Sequence, residues 1–282
     1  MPRAFVWIRD ELTPQEEALV SVDDRGFLYG DGFFETLRVE NGRPLFWQEH
    51  LERLEASAQA FRLTFPARVP WEERLAKLLA ANELQAGTAA VKILLTRGQA
   101  AGLGLPSSPS PTLIMWARPY QLPTPAEYQA GWPVVIFPER RTTFIGRHKS
   151  LNYLFYLAAR QYALDQGARE ALILEADCLI SEGAATSLIF ARSGRFFTPE
   201  ASSALPGITV AVLARALARQ GKNLERKSVQ VEDLPKVDGL WLANSLMGLM
   251  PVSLLEGCPL PPSQENSAFL MNCLAAEAGR TR

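Results

Sequence analysis

The dipeptide Asn41-Gly42 constrains the fold of this chain more than any other two residues in it. A two-residue hairpin loop that matches the right-handed twist of its strands needs left-handed backbone at both central positions, and Asn-Gly adopts it at the lowest steric cost. Residues 33–40 and 44–47 are therefore expected to be paired strands. Hydrophobic period extends the reading along the chain. Short strands are expected over 4–8 and 18–22 and buried ones over 91–96 and 112–117, with a loop rich in Gly, Pro and Ser over 98–111. Leu51, Leu54, Ala58 and Phe61 recur at helical spacing and predict a helix over 48–61, and a second amphipathic helix is expected over 71–82.

Residues 1–118 thus read as a smaller N-terminal α/β domain, 119–125 as a proline-bearing linker and 126–282 as a larger C-terminal domain. In the latter, strands are expected over 134–138, 171–175, 188–191, 224–229, 239–243 and 251–255. Helices are expected over 150–166, from the turn Leu205-Pro206-Gly207-Ile208-Thr209 to Gln220 with Gly221 as its cap, and over 265–278.

Composition excludes several functions. An apolar fraction of 48% in 282 residues supports a large core, and a net charge of -1 offers no attraction for nucleic acid or an anionic membrane. No apolar run reaches the roughly 18 to 20 residues that span a bilayer, and the apolar stretch near the N-terminus is too short for a signal peptide. Cys178, Cys258 and Cys273 are unclustered and odd in number, which suits neither a disulfide framework nor a zinc site. With only His50 and His148, a histidine metal centre or a Ser-His-Asp relay is not expected. A cytoplasmic protein acting on a small molecule is the expectation.

Two residues carry the chemistry. Lys149 lies in Gly146-Arg147-His148-Lys149-Ser150-Leu151-Asn152-Tyr153, and Glu182 in Ile180-Ser181-Glu182-Gly183, where a polar turn runs toward a strand. A lysine that can form a Schiff base, with an acid that keeps a pyridine nitrogen protonated, is the minimum equipment for pyridoxal phosphate chemistry. A phosphate further needs helix-start N–H groups, hydroxyls and an arginine. Ile208 and Thr209 after Gly207 supply the first two, although alone they also describe an ordinary threonine cap. Arg53 is equally a surface arginine paired with Glu49, and Ser245 equally a turn serine.

Taken together, Asp24-Arg25-Gly26-Phe27-Leu28-Tyr29-Gly30-Asp31-Gly32-Phe33-Phe34-Glu35-Thr36, His50-Leu51-Glu52-Arg53-Leu54, Lys149-Ser150-Leu151-Asn152-Tyr153, Ser181-Glu182-Gly183, Leu205-Pro206-Gly207-Ile208-Thr209 and the segment from Asn244 to Val252 stand in the order of a known family. The chain resembles the class IV pyridoxal phosphate enzymes, which include branched-chain and D-amino acid aminotransferases and 4-amino-4-deoxychorismate lyase. The resemblance implies a two-domain α/β (α+β type) fold of the D-amino acid aminotransferase kind, a cofactor in the interdomain cleft and a homodimer. It makes Lys149 the Schiff-base lysine and Glu182 the partner of the pyridine nitrogen. It assigns the phosphate to Arg53, Ile208, Thr209 and Ser245, and sets Tyr153 beside the phenolic oxygen.

Two departures bear on the reaction. Val210 stands where the family often has arginine, and the loop Ala101-Gly102-Leu103-Gly104-Leu105 lacks the arginine that many members use for substrate carboxylates. The segment from Asn244 to Val252 resembles the lyase more than the aminotransferases. Arg140, Arg141 and Arg147, with Asn244, are the expected substrate-binding residues, the arginines being equally a solvated loop face. The lyase is the first expectation, and an aminotransferase of branched-chain or D-amino acids the second.

Overall fold

A computed structural model describes residues 4–107, 110–260 and 263–280; residues 108 and 109 of the expected 98–111 loop lie outside that range. Met1–Leu122 and His148–Asn152 form one compact unit, and Pro123–Arg147 and Tyr153–Arg282 the other. Lys149, which the sequence reading put in the C-terminal domain, therefore packs with the first unit, because its segment pairs with a strand there.

In the first unit, β1 (Phe5–Ile8), β2 (Glu11–Pro14), β3 (Gly32–Glu40), β4 (Arg43–Pro44), β5 (Thr88–Thr96) and β6 (Thr112–Pro119) form an antiparallel sheet in the order β2-β1-β6-β5-β3-β4. Asn41 and Gly42 have φ of 47° and 78°, and Glu40 pairs with Arg43, so the hairpin turn is the one expected. Its second arm is only two residues long. After α1 (Arg25–Tyr29), the chain builds α2 (Trp47–Ala60) and α3 (Trp71–Ala81), and Trp47 begins a helix where the sequence suggested the end of a strand. Leu51, Leu54 and Ala58 of α2 and Leu75, Leu78 and Leu79 of α3 share one core with Leu37, Val91, Ile93 and Met115 of the sheet. Residues 18–22 are not a strand. The left-handed turn at Arg9 sends the chain straight back along β1 as β2, and Leu19 and Val22 are left 82% and 72% exposed.

In the second unit, β7 (Trp132–Ile136), β8 (Glu170–Leu174), β9 (Ile180–Gly183), β10 (Ser187–Arg192), β11 (Arg195–Pro199), β12 (Leu224–Lys227), β13 (Gly239–Asn244) and β14 (Gly248–Leu255) run in the order β12-β11-β10-β13-β14-β7-β8-β9. A two-residue strand β15 (Cys258–Pro259) pairs with β14. Strand β7 is parallel to β14 and β8. Leu188, Phe190, Leu240 and Leu242 enter one core while Ile189, Ala191, Trp241 and Ala243 enter another. Both faces of β10 and β13 are thus buried, which is why these strands read as continuous apolar runs.

The helices are α4 (Pro125–Ala130), α5 (Leu154–Asp165), α6 (Ile208–Arg219) and α7 (Gln264–Ala278). Helix α4 begins inside the segment read as linker. Its signal was present: Thr124 and Glu127 form a reciprocal capping box with Pro125 at the first helical position. Among the described residues no helix is long and apolar enough to cross a membrane.

Candidate active site

Lys149 is held by main-chain pairing. The Phe34 N–H donates to the Lys149 carbonyl at 2.9 Å, the Leu151 N–H donates to the Gly32 carbonyl at 3.0 Å, and Ser150 bridges Phe33. The helix expected from residue 150 starts only at Leu154 because residues 149–151 add to the end of β3 instead. Gly32 is required there: a Cβ would sit 2.6 Å from the Leu95 carbonyl and 2.9 Å from the Leu151 side chain. The Lys149 amine lies 4.6 Å from the Phe34 ring centroid. Lys92 on β5 lies 4.4 Å from the same centroid, and its burial pushes its amine below the ordinary lysine value.

Arg53 is no solvated surface arginine. Its Nε and Nη2 donate to the two oxygens of Glu35 at 2.7 Å each, and its side chain is 13% exposed. Glu35, on β3, also accepts from His50 Nδ1 at 2.6 Å, and both are fully buried. Burial pushes the Glu35 carboxyl up, but the Arg53 charge and the hydrogen bonds from His50 and Arg53 outweigh it and hold the pKa at about 2. The carboxylate clamps the Nε–Nη2 edge of the guanidinium and so fixes the plane of Arg53. Sequence reasoning missed Glu35, since a single glutamate in an apolar strand gives no sign of its partner on α2.

In the second unit Glu182 lies in strand β9, not in a turn, and is 7% exposed. Its Oε1 accepts from the Tyr156 hydroxyl at 2.7 Å and its Oε2 from the Leu205 N–H at 3.0 Å. The Tyr153 hydroxyl donates to the Ala184 carbonyl at 3.3 Å. Burial, with the charges of Glu170 and Glu182, pushes its phenol up to about 12. Glu170 pins the turn after β9, accepting from the Ala185 N–H and the Thr186 hydroxyl at 3.2 Å each. Helix α6 starts at Ile208 behind Gly207, which provides no side-chain cap; Ile208 and Thr209 are 6% and 3% exposed. A Cβ on Gly207 would lie 2.3 Å from the Ser187 hydroxyl, so any larger residue would have to displace that hydroxyl for the helix start to approach β10 this closely. A cavity of about 300 Å³ lies here, lined by Glu182, Ser187, Gly207, Arg147 and Arg226 among others. Asn244 closes the β13–β14 turn: its Oδ1 accepts from the Leu246 and Met247 N–H groups at 3.1 and 2.9 Å, and its Nδ2 donates to the Ala185 carbonyl at 3.4 Å. Ser245 is carried on that turn.

The three arginines before Lys149 have different partners. Arg140 donates to the Cys178 sulfur at 2.8 Å, and Arg147 donates through Nε to the Ser202 carbonyl at 2.7 Å. The Arg141 guanidinium lies over the rings of Tyr156 and Phe155, 4.7 and 5.2 Å from their centroids. They do not form one cluster on a shared partner.

The family model for amino-transferase class IV matches residues 32–255. The chain belongs to that family. Among relatives of this class IV protein, the D-alanine aminotransferase of Bacillus licheniformis is 26% identical over 289 residues, 98% of this chain and 99% of the relative. The aminodeoxychorismate lyase of Bacillus subtilis (strain 168) is 27% identical over 261 residues, 89% of this chain and 87% of the relative. The chain spans only 46% of the length of branched-chain-amino-acid aminotransferase-like protein 2 of Arabidopsis thaliana, at 28% identity over 264 residues, 90% of this chain. In fold it is similar to the branched-chain amino acid aminotransferase from Escherichia coli, with a TM-score of 0.84 and 23% identity over 96% of this chain and 92% of that one.

Class IV enzymes use pyridoxal phosphate. The donor set fits that group: an amine beside an aromatic ring, a nearly buried carboxylate held by two donors, and a helix start left without a side-chain cap. Among the described residues no group of three or more His, Cys, Asp or Glu side chains is placed to hold a metal ion.

Proposed function

We propose that this class IV enzyme is an aminodeoxychorismate lyase, which converts 4-amino-4-deoxychorismate to 4-aminobenzoate and pyruvate in folate biosynthesis. The observation that carries the choice is the loop after β5. Arg25 donates through Nη1 and Nη2 to the carbonyls of Gly102 and Gly104 at 2.7 and 2.8 Å and through Nε to Asp31 at 2.8 Å. Arg97 donates to both Asp31 oxygens and to the carbonyls of Phe61, Arg62 and Pro106. Arg25 from α1 and Arg97 at the loop's start thus hold its backbone, and the loop presents Leu103, 89% exposed, where many members of the family have a carboxylate-binding arginine.

Pyridoxal phosphate, when bound, supplies an electron sink for charge developing at the amine-bearing carbon. In the proposed roles Lys149 would anchor it and, once the substrate amine has displaced it, its freed amine would take the proton from that ring carbon. Glu182 holds a proton on the pyridine nitrogen, with Tyr153 beside the phenolic oxygen. Arg53, the Ile208 and Thr209 start of α6 and Ser245 bind the phosphate. Lys149 returns its proton to the departing enolpyruvyl unit, which leaves as pyruvate, and aromatisation of the ring drives the step. Of the expected carboxylate ligands we assign Arg147, which lines the same cavity as Glu182.

Purified protein given aminodeoxychorismate should yield 4-aminobenzoate and pyruvate in equal amounts with no oxo-acid acceptor. Arg147→Ala should raise KM on the order of tenfold, the loss of one charge-assisted contact. An unchanged KM would remove Arg147 from the substrate site. The aminotransferase reading is favoured by the D-alanine aminotransferase relative, which matches about as well as the lyase does. Rapid amino transfer from a D- or branched-chain amino acid to 2-oxoglutarate, with no 4-aminobenzoate formed, would decide for it.

A cytoplasmic homodimer is part of the same reading. The three cysteines are free thiols, which suits a reducing compartment. Leu19, Val22, Phe27, Leu28 and Tyr29 of the first unit are 50% or more exposed, an apolar surface that suits a second subunit. Sedimentation at micromolar concentration should give a dimer of the 31.2 kDa chain, and a monomer would count against this assembly.

A further inference from the structure

Helix α5 carries a residue with no part in the roles assigned so far. Tyr153, at its N-terminal boundary, and Tyr156 are three residues apart and so share a face. Their rings stack with centroids 5.1 Å apart. Phe155 meets the Tyr156 ring edge-on at 6.0 Å. Arg141 covers the same ring at 4.7 Å, its own main chain fixed by the Leu174 carbonyl at 2.9 Å. The Tyr156 ring is thus held on several sides, and its hydroxyl donates to Glu182 Oε1 at 2.7 Å.

The geometry points to Tyr156 as a positioning residue for Glu182: its hydroxyl, opposite the Leu205 N–H, holds the carboxylate in one orientation and keeps the shared proton on the pyridine nitrogen of the cofactor. This rests on the role proposed for Glu182. A carboxylate that accepts two donated hydrogen bonds is a weaker base, so a proton between it and a pyridine nitrogen stays on the ring. The phenol is suited to donate only. Burial, with the charge of and the hydrogen bond to Glu182, pushes its pKa far above the ordinary tyrosine value. The Arg141 cation acts the other way, polarising the hydroxyl and strengthening the bond it donates.

The test compares Tyr156→Phe, Glu182→Gln and the double variant, each loaded with pyridoxal phosphate. Tyr156→Phe removes one oxygen and leaves the stacked ring, so the melting temperature should stay near that of the parent. The absorption spectrum of the bound cofactor should move in the direction set by Glu182→Gln, by a smaller amount. Turnover should fall on the order of tenfold in kcat with KM unchanged. In the Glu182→Gln background the tyrosine change should add nothing, since its effect runs through the carboxylate. If Glu182→Gln shifts the spectrum and Tyr156→Phe does not, the inference is wrong and the role of Glu182 stands. Additive effects in the double variant would reduce Tyr156 to a structural part and overturn the inference. A Glu182→Gln spectrum identical to the parent would remove the role of Glu182, and the inference with it.

Discussion

Lys149→Ala is expected to abolish turnover, by at least roughly a thousandfold, with the fold retained. The second half of that expectation comes from where the segment's hydrogen bonds lie. They are main-chain bonds, from Phe34 to Lys149 and from Leu151 to Gly32, and alanine keeps both. Among the side chain's contacts is the Phe34 ring, worth about 0.5–2 kcal/mol for a part-buried cation over an aromatic face. Borohydride reduction of the holoenzyme followed by peptide mapping should find the cofactor on the Lys149 peptide. Lys92 is the informative competitor, because it lies against the same ring with an amine already lowered by burial. An adduct on Lys92, or activity surviving in Lys149→Ala, would overturn the assignment.

Glu35→Ala should cost the largest share of stability of any single charge removal in the first unit, about 3–5 kcal/mol, because it leaves Arg53 and His50 without their buried counter-charge. The milder Glu35→Gln isolates the charge and has a pH signature. The folded carboxyl is held at about 2 against an ordinary 4.5, so its stabilisation is fully present above 4.5 and is lost as pH falls toward 2. A shift of that size corresponds to about 3 kcal/mol. Urea midpoints measured at about pH 7 and about pH 3 should differ clearly for the parent and much less for Glu35→Gln. Glu170 works in the opposite sense: burial raises its pKa, so its cost is relieved on acidification. Equal acid sensitivity in parent and variant would show that Glu35 is not ionised in the folded protein.

Much of the fold was legible in the residues because the signals were local. Asn41-Gly42 set its own turn, α2 and α3 followed from apolar spacing and α6 from its Pro-Gly turn and the glycine after it, each to within a residue or two of its ends. Most of the differences share one cause, partners distant in sequence. Residues 18–22 have strand composition, but β1 already pairs with β2 and β6. Residues 150–153 carry a helical pattern, yet main-chain pairing with β3 delays α5 to Leu154. Strand β9 was read as a turn, since Ser181, Glu182 and Gly183 are poor strand formers; they are buried beside β8 all the same. Helix α4 was the avoidable miss, because its capping box is a four-residue signal.

For the site, residue types and their order were enough to identify the family and its cofactor, because the motifs around Lys149, Glu182 and Ile208-Thr209 are each short and contiguous. Tertiary structure alone decided what surrounds them. Arg53 is clamped by Glu35 on a neighbouring strand, Glu182 is held by Tyr156 from a helix and by Leu205 from a loop, and Arg25 is engaged by loop carbonyls. Such partners lie up to 79 positions apart in the chain. Hydrogen-bond geometry depends on tenths of an ångström between side chains brought together by packing, and no local propensity encodes that. The sequence by itself therefore determined the chemistry available, and the fold decided which groups aim, charge and support it.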